Sequence, residues 1–165
     1  MKLREKVVVI TGGSGGIGRA MAKAFLAEGA RSVTLVDLDK DAVTAAAAEI
    51  GCVAEVCNVT DEQQVIALVD RTLAREGRID VFCSNAGAGA TGLLTDAANE
   101  VWQSQWELHV MSHVYAARAV LPSMIAQGEG YLLNTASAAG LLAAIGSGPY
   151  TVTKAAAVKF AEFLS

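Results

Sequence analysis

Tyr150 and Lys154 stand at i and i+4 in the segment Tyr150-Thr151-Val152-Thr153-Lys154. On a helix, residues so spaced share a face. A free tyrosine titrates at about 10 and is a poor base at neutral pH, but a nearby ammonium favours its phenolate. Such a pair could give a proton to a carbonyl oxygen, or take one from an alcohol, while a hydride moves elsewhere. Ser137 follows the apolar run Tyr131–Thr135, and its hydroxyl could hold the reacting oxygen. Taken alone, Tyr-x-x-x-Lys also suits an ordinary amphipathic helix, so its meaning depends on its company.

That company is a glycine turn, Thr11-Gly12-Gly13-Ser14-Gly15-Gly16-Ile17-Gly18, placed between a β-branched run and a helical one. Glycines allow positive φ and close approach of backbone to a ligand. A helix opening at such a turn offers free N–H groups and the positive end of its dipole to a pyrophosphate. Gly13, Gly15 and Gly18 fit G-x-G-x-x-G, and Gly12, Gly16 and Gly18 fit G-x-x-x-G-x-G. In isolation the pattern is equally a tight strand-to-helix turn. Asp37, with Leu38 after it, closes the next strand about twenty residues on, where a carboxylate can accept hydrogen bonds from both ribose hydroxyls of an adenosine. Its charge and that of Asp39 would repel a 2′-phosphate, and no cation lies between Gly12 and Gly18. NAD is expected in preference to NADP.

These motifs resemble the short-chain dehydrogenase/reductase family. Thr11–Gly18 is similar to its TGxxxGxG turn, and Ser84-Asn85-Ala86-Gly87 to its NNAG segment. Asn58-Val59 stands where the family has an Asp-Val that contacts adenine. Ser137, Tyr150 and Lys154 stand where its catalytic serine, tyrosine and lysine stand. The resemblance implies an NAD-dependent oxidoreductase interconverting an alcohol and a ketone or aldehyde, with a small-molecule substrate. It implies that Lys154 also binds the nicotinamide ribose and that Asn85, Ala86 and Gly87 line the cofactor cleft. It further implies homodimers or homotetramers, formed through the helices around Glu100–Ala126 and after Tyr150.

The sequence departs from the family pattern at three places. Ser84 replaces the first Asn of NNAG. Asn58 replaces Asp and still offers a donor and an acceptor. His109 falls where the family's catalytic asparagine belongs, a residue that holds a water leading protons to the lysine. His109 is expected to face the active site near Lys154 and to hold that water through its imidazole. His109 and His113 also have the i, i+4 spacing of chelating histidines, but no third ligand stands out, so no metal is expected.

The elements that must position these residues alternate. Strands are predicted at Lys6–Thr11, Ser32–Val36, Val53–Cys57, Ile79–Cys83 and Tyr131–Thr135. Helices are predicted at Arg19–Glu28, from Asp39 through Ile50, from a Thr60–Gln63 capping box to near Gly77, over roughly Glu100–Ala126, and over Tyr150–Leu164. Gly29 and Gly51 are expected to close the first two helices, and Pro122 to bend or interrupt the long one. Trp102 and Trp106 read as a packing stripe. The alternation implies one α/β domain over 1–165, a doubly wound parallel sheet between two helical layers (a Rossmann fold), with strand order 3-2-1-4-5.

Composition excludes several other classes. The 165 residues are 53% hydrophobic and 18% charged, with net charge −4, a folded aliphatic domain with no basic patch for nucleic acid. Val7–Ile10 is too short for a signal peptide core. The uncharged stretch Gly130–Thr153 is broken by glycines, Pro149 and polar residues, which argues against a membrane span. Cys52, Cys57 and Cys83 form no CxxC pair and read as reduced, buried thiols of a cytoplasmic protein. Family members continue beyond a position like Ser165 with later strands and a substrate-covering loop. Ser165 is therefore expected inside a helix, with Tyr131–Thr135 at a sheet edge. The alternative to an enzyme is a truncated, non-catalytic dinucleotide-binding module.

Overall fold

A run of apolar β-branched residues buried on both faces suits the middle of a parallel sheet, and β1 (Val7–Thr11) takes that place. The computed structural model describes residues 2–165. β2 (Ser32–Asp37) and β4 (Val81–Ser84) flank β1, with β3 (Val53–Val56) and β5 (Tyr131–Asn134) outside them. All pairings are parallel and the order is β3-β2-β1-β4-β5. Helices α1 (Gly16–Ala27) and α2 (Lys40–Ile50) cover one face, where Val8 and Ile10 pack with Ala22, Val43 and Ala46. On the other face Val9 and Phe82 pack with Leu68 of α3 (Glu62–Glu76) and Val120 of α5 (Ser112–Gln127). Each fully buried aliphatic side chain contributes about 2 kcal/mol. The chain reverses its direction of winding between β1 and β4, and the crevice at their carboxyl ends is where such sheets take ligands.

Helix ends follow local chemistry. Asp39 caps α2 by accepting from the Ala42 N–H at 3.0 Å, and Gly51 closes it at φ +83°. The cap of α3 lies one residue later than expected. Asp61, not Thr60, accepts from the N–H groups of Gln63 and Gln64, at 3.0 and 3.2 Å. The Thr60 hydroxyl instead donates to Asn58 Oδ1, which leaves the carboxylate, the stronger acceptor, to serve the helix.

The long helix also differs from expectation. α4 (Asn99–Trp106) passes through a π-helical turn, Glu107–Met111, into α5. The irregularity thus lies at Glu107–Met111, and α5 runs through Pro122 to Gln127. Pro122 is exposed, so the carbonyl it leaves unbonded can meet water. Trp102 packs beside Gly148, but Trp106 is exposed, so the expected stripe is only half realised.

α6 (Gly148–Phe163) carries Tyr150 and Lys154 and begins with Pro149 in its first turn. It ends at Phe163, so Ser165 lies just past the helix rather than within it. The Leu164 N–H returns to Phe160 O, and the Ser165 hydroxyl donates to Glu162 O at 2.8 Å. β5 forms the outer edge of the sheet and is only half-buried. Among the described residues no helix is long and apolar enough to cross a membrane, and no group of three or more His, Cys, Asp or Glu could hold a metal.

Candidate active site and dinucleotide cleft

The turn from β1 into α1 needs its glycines. Gly12 has φ +64°, and a Cβ at Gly18 would lie 2.4 Å from Gly12 O. A Cβ at Gly13 would lie 2.8 Å from that of Leu35. At Gly16 the same position opens onto free space. Gly15 caps α1 without any side-chain hydrogen bond. The first turn of α1 therefore presents bare N–H donors to a surface no side chain obstructs. A cleft of about 470 Å³ opens here. Gly12, Ser14, Gly15, Gly16, Ile17, Gly18, Asp37, Leu38, Asn58, Val59, Asn85, Ala86 and Gly87 all line it. A diphosphate fits this uncapped, glycine-walled cradle.

Asp37 is held by the turn itself. Its Oδ2 accepts from the Ser14 N–H at 3.0 Å and from the Ser14 hydroxyl at 2.5 Å, while Oδ1 accepts from the Leu38 N–H at 2.8 Å. Both lone pairs of Oδ2 are thus taken by Ser14, while Oδ1 retains one for a ligand hydroxyl. Asn58 Oδ1 accepts from the Thr60 N–H and hydroxyl, which fixes the side chain at the rim. Asn85 ties three strand ends together. Its Nδ2 donates to Thr11 O at 2.9 Å, its Oδ1 accepts from the Thr135 hydroxyl at 3.0 Å, and its N–H donates to Thr11 Oγ1 at 2.9 Å.

Beyond Gly87 the cleft meets α6. A Cβ on Gly87 would lie 3.3 Å from His109 Nε2 and 3.4 Å from Lys154 Nζ. Lys154 is buried and donates to Thr135 O at 3.0 Å; burial holds its pKa below the usual lysine range. Its Nζ lies 5.9 Å from the centre of the Tyr150 ring. Ser137 heads the 3-10 turn Ala138–Gly140, where its Oγ accepts from the Ala139 N–H at 3.2 Å. That turn packs on α6 so closely that a Cβ at Gly140 would lie 2.6 Å from Lys154 O.

His109 sits in the π-helical turn and is fully buried. The Thr153 hydroxyl donates to Pro149 O at 2.8 Å, so towards His109 Nδ1, 3.0 Å away, it acts as acceptor. Nδ1 therefore carries the proton. Nε2 accepts from the Ala88 N–H at 3.3 Å. Burial, then the charge of Lys154, lowers the pKa to about 4, so the ring is neutral at pH 7. Both nitrogens are engaged by protein. The expected water-holding role is not open to this side chain, because a neutral imidazole has only one donor and one acceptor.

Thr11, Thr135, Thr153 and Ala88 hold the site together and were not among the sequence candidates. Only Thr11, leading the glycine turn, carried a signal. Cys57 lies in the cleft wall and Cys83 in the core, and burial pushes their thiols up to about 11 and about 12. Cys52 is half-buried. His113 is buried with neither ring nitrogen hydrogen-bonded among the described residues; burial, with Lys154 and His109 nearby, lowers it to about 4 against a weak opposing effect of Asn134.

A family model described as short chain dehydrogenase matches residues 6–165. A sorbitol dehydrogenase of Cereibacter sphaeroides is 35% identical over 165 residues, covering 98% of this chain and 64% of that protein. An uncharacterized oxidoreductase of Staphylococcus saprophyticus is 32% identical, covering 94% of this chain and 69% of its own. Two solved structures superpose closely. An NAD+-bound xylitol dehydrogenase has a TM-score of 0.92 at 32% identity, covering 99% of this chain and 65% of that one. A short chain dehydrogenase/reductase from Burkholderia phymatum in complex with NAD has a TM-score of 0.95 at 32% identity, covering 99% and 60%. The chain thus spans about two thirds of the length of these relatives. Since the match begins just before β1 and runs to the final residue, it takes in every element described above, and the chain belongs to the short-chain dehydrogenase family.

Proposed function

We propose that the chain is an NAD-dependent oxidoreductase interconverting an alcohol and a ketone or aldehyde, with Tyr150 as general acid/base. The observation that carries this reading is the meeting at Gly87. That residue lines the dinucleotide cleft and has Lys154 Nζ at its back, with Tyr150 on the same helix face. Cofactor cradle and proton-transfer group are therefore contiguous.

NAD, when bound, supplies the carbon that accepts or returns the hydride. The N–H groups at the start of α1 hold its diphosphate, Asp37 accepts from an adenosine ribose hydroxyl, and Asn58 and Val59 border the adenine. Lys154 binds the second ribose and keeps a positive charge beside Tyr150. The Ser137 Oγ accepts from the Ala139 N–H, which orients the hydroxyl and leaves its proton for the substrate oxygen. In the oxidative direction the alcohol proton passes to Tyr150 as hydride leaves the same carbon. In the reductive direction Tyr150 protonates the carbonyl oxygen. NAD bound at Asp37 is favoured over NADP. A second copy of the chain is expected against α4, α5 and α6, where Trp106 and Val152 are exposed.

Absorbance at the NADH band during incubation with a panel of small alcohols tests the reading. Tyr150→Phe should reduce turnover by about 10³-fold while leaving NAD affinity nearly unchanged, and Lys154→Ala should damage both. Near-normal turnover in Tyr150→Phe would overturn the acid/base assignment. NAD binding without turnover of any alcohol or carbonyl would leave a dinucleotide-binding module.

A further inference from the structure

The loops leaving β4 and β5 are zipped into one shelf beside the site. The Gly92 N–H donates to Gly146 O at 2.8 Å, the Gly148 N–H to Gly92 O at 3.2 Å, and the Ser147 hydroxyl to Ala90 O at 2.5 Å. The second loop starts at Ser137 and ends at Tyr150, so the shelf is continuous with the groups assigned to the reacting oxygen. Both loops leave the carboxyl ends of adjacent strands, the side of such sheets on which ligands sit.

Its chemistry is one-sided. Neither Val81–Thr95 nor Gly130–Thr153 contains a charged residue. Leu93, Leu94, Leu141, Leu142 and Ile145 project from the shelf, with exposures from 52% for Leu93 to 96% for Ile145. Scattered exposed apolar residues are ordinary, but five large aliphatics on two bonded loops make a patch. The polar groups there are mostly committed. Ser147 bonds Ala90, Thr95 bonds Asp96, and Thr135 bonds Asn85. Among the described residues of the shelf, Ser137 and Thr91 keep hydroxyl protons free to meet a ligand, beside the Tyr150 phenol at its end.

We propose that this shelf selects substrates whose carbinol or carbonyl carbon bears hydrocarbon substituents, and disfavours polyols. The proposal rests on the oxidoreductase reading above. A polyol laid against the shelf would exchange several hydroxyl–water hydrogen bonds for contact with aliphatic carbon, leaving them unpaired. An alkyl or cycloalkyl group would instead remove its own apolar surface and that of the leucines from water. The preference runs opposite to the names of the sorbitol and xylitol dehydrogenases that the chain resembles.

The test uses the NAD-loaded chain with 2-octanol, cyclohexanol, xylitol and sorbitol as probes, reading NADH formation and, separately, probe binding by saturation-transfer NMR. The expected result is a kcat/KM for 2-octanol at least about a hundredfold above that for xylitol. The double variant Leu142→Ser/Ile145→Ser should weaken 2-octanol binding about tenfold with NAD affinity unchanged. Binding of 2-octanol that responds to the variant, without NADH formation, would keep the apolar site and sink the oxidoreductase reading. The proposal is overturned by xylitol binding or reacting as well as 2-octanol, by failure of all four probes to bind, or by a variant that alters self-association but not 2-octanol binding.

Discussion

His109 and Tyr150 meet ring to ring, with centroids 5.3 Å apart and planes at 86°. An edge-to-face pair of this kind contributes about 1 kcal/mol beyond its buried area. The histidine is fixed on its other sides by Thr153 and Ala88. It thus joins the π-helical turn, the loop after β4 and the helix carrying Tyr150 and Lys154. It is placed to hold the tyrosine ring, and with both nitrogens engaged by protein it has no site left to relay a proton.

Two substitutions separate those roles. His109→Ala leaves the Ala88 N–H without a partner and removes the wall of the tyrosine ring, which should cost about 2–3 kcal/mol of stability. It should lower kcat more than it alters NAD affinity. His109→Asn restores donor and acceptor without the ring, so it should recover part of the stability and retain turnover. Urea unfolding and initial rates on both variants check this. Equal losses of stability in the two would show that hydrogen bonding has no share in the role.

The cofactor preference follows from Asp37 and Ser14. The Ser14 hydroxyl and N–H anchor one carboxylate oxygen, so the charge stays where a 2′-phosphate would have to sit. Repulsion at that site should make NAD bind more tightly than NADP by about 2 kcal/mol. Asp37→Ser with Leu38→Arg should narrow the gap. Ser14→Ala should weaken the preference less, by loosening the carboxylate without removing it. Fluorescence titration with both cofactors measures all three, and equal or tighter NADP binding to the unaltered chain refutes the argument.

Much of this arrangement was legible because the relevant residues are contiguous. The β1 run, the glycine turn, the Asp39 and Gly51 caps and the Tyr150–Lys154 spacing each announce themselves within a few residues. What was hidden depends on contacts between distant segments. The His109–Thr153 bond spans 44 positions and the Ser14–Asp37 bond 23, and no local pattern marks either. The π-helical turn differs from the helix around it only in hydrogen-bond register, which residue type does not encode. The shift of the α3 cap from Thr60 to Asp61 depended on Asn58 competing for the threonine hydroxyl.

Acid should weaken the fold in a window set by the two buried histidines. His109 and His113 both fall from 6.5 to about 4 in the folded chain. Between those values the unfolded chain binds more protons than the folded one, so stability rises with pH across the window and is lost as pH falls from 6.5 towards 4. Each could contribute on the order of 3 kcal/mol. Denaturation midpoints measured from pH 7 to pH 4 should therefore decline steadily, and replacing His113 by Leu should flatten the decline. A midpoint unchanged over that range would mean that neither histidine is held neutral by the fold.

A lower window belongs to the opposite end of the sheet. Asp80 is fully buried and accepts from the Val7 N–H at 2.8 Å and from Arg78 Nε at 2.9 Å, with Lys6 Nζ 3.5 Å away. Lys6 and Arg78 also share Glu129, each at 2.6 Å. The cluster ties β1 to β4 at their amino ends and reaches Glu129, two residues before β5. Burial would raise the Asp80 carboxyl, but the Val7 bond and the Arg78 and Lys6 charges outweigh it and leave the group below its ordinary 3.8. Its contribution is therefore present above pH 3.8 and lost as pH falls through the lower folded value, beneath the histidine window. Asp80→Asn preserves an acceptor for Val7 and removes the charge, so it should cost about 1–2 kcal/mol. Asp80→Ala strands the Val7 N–H and should cost about 2–4 kcal/mol, moderated because Lys6 and Arg78 are partly exposed and keep Glu129. The dinucleotide cleft lies at the carboxyl ends of the same strands. NAD affinity, measured where both variants remain folded, should thus stay within about twofold of the parent. A large loss of affinity together with unchanged stability would show that this cluster shapes the cleft instead of holding the sheet.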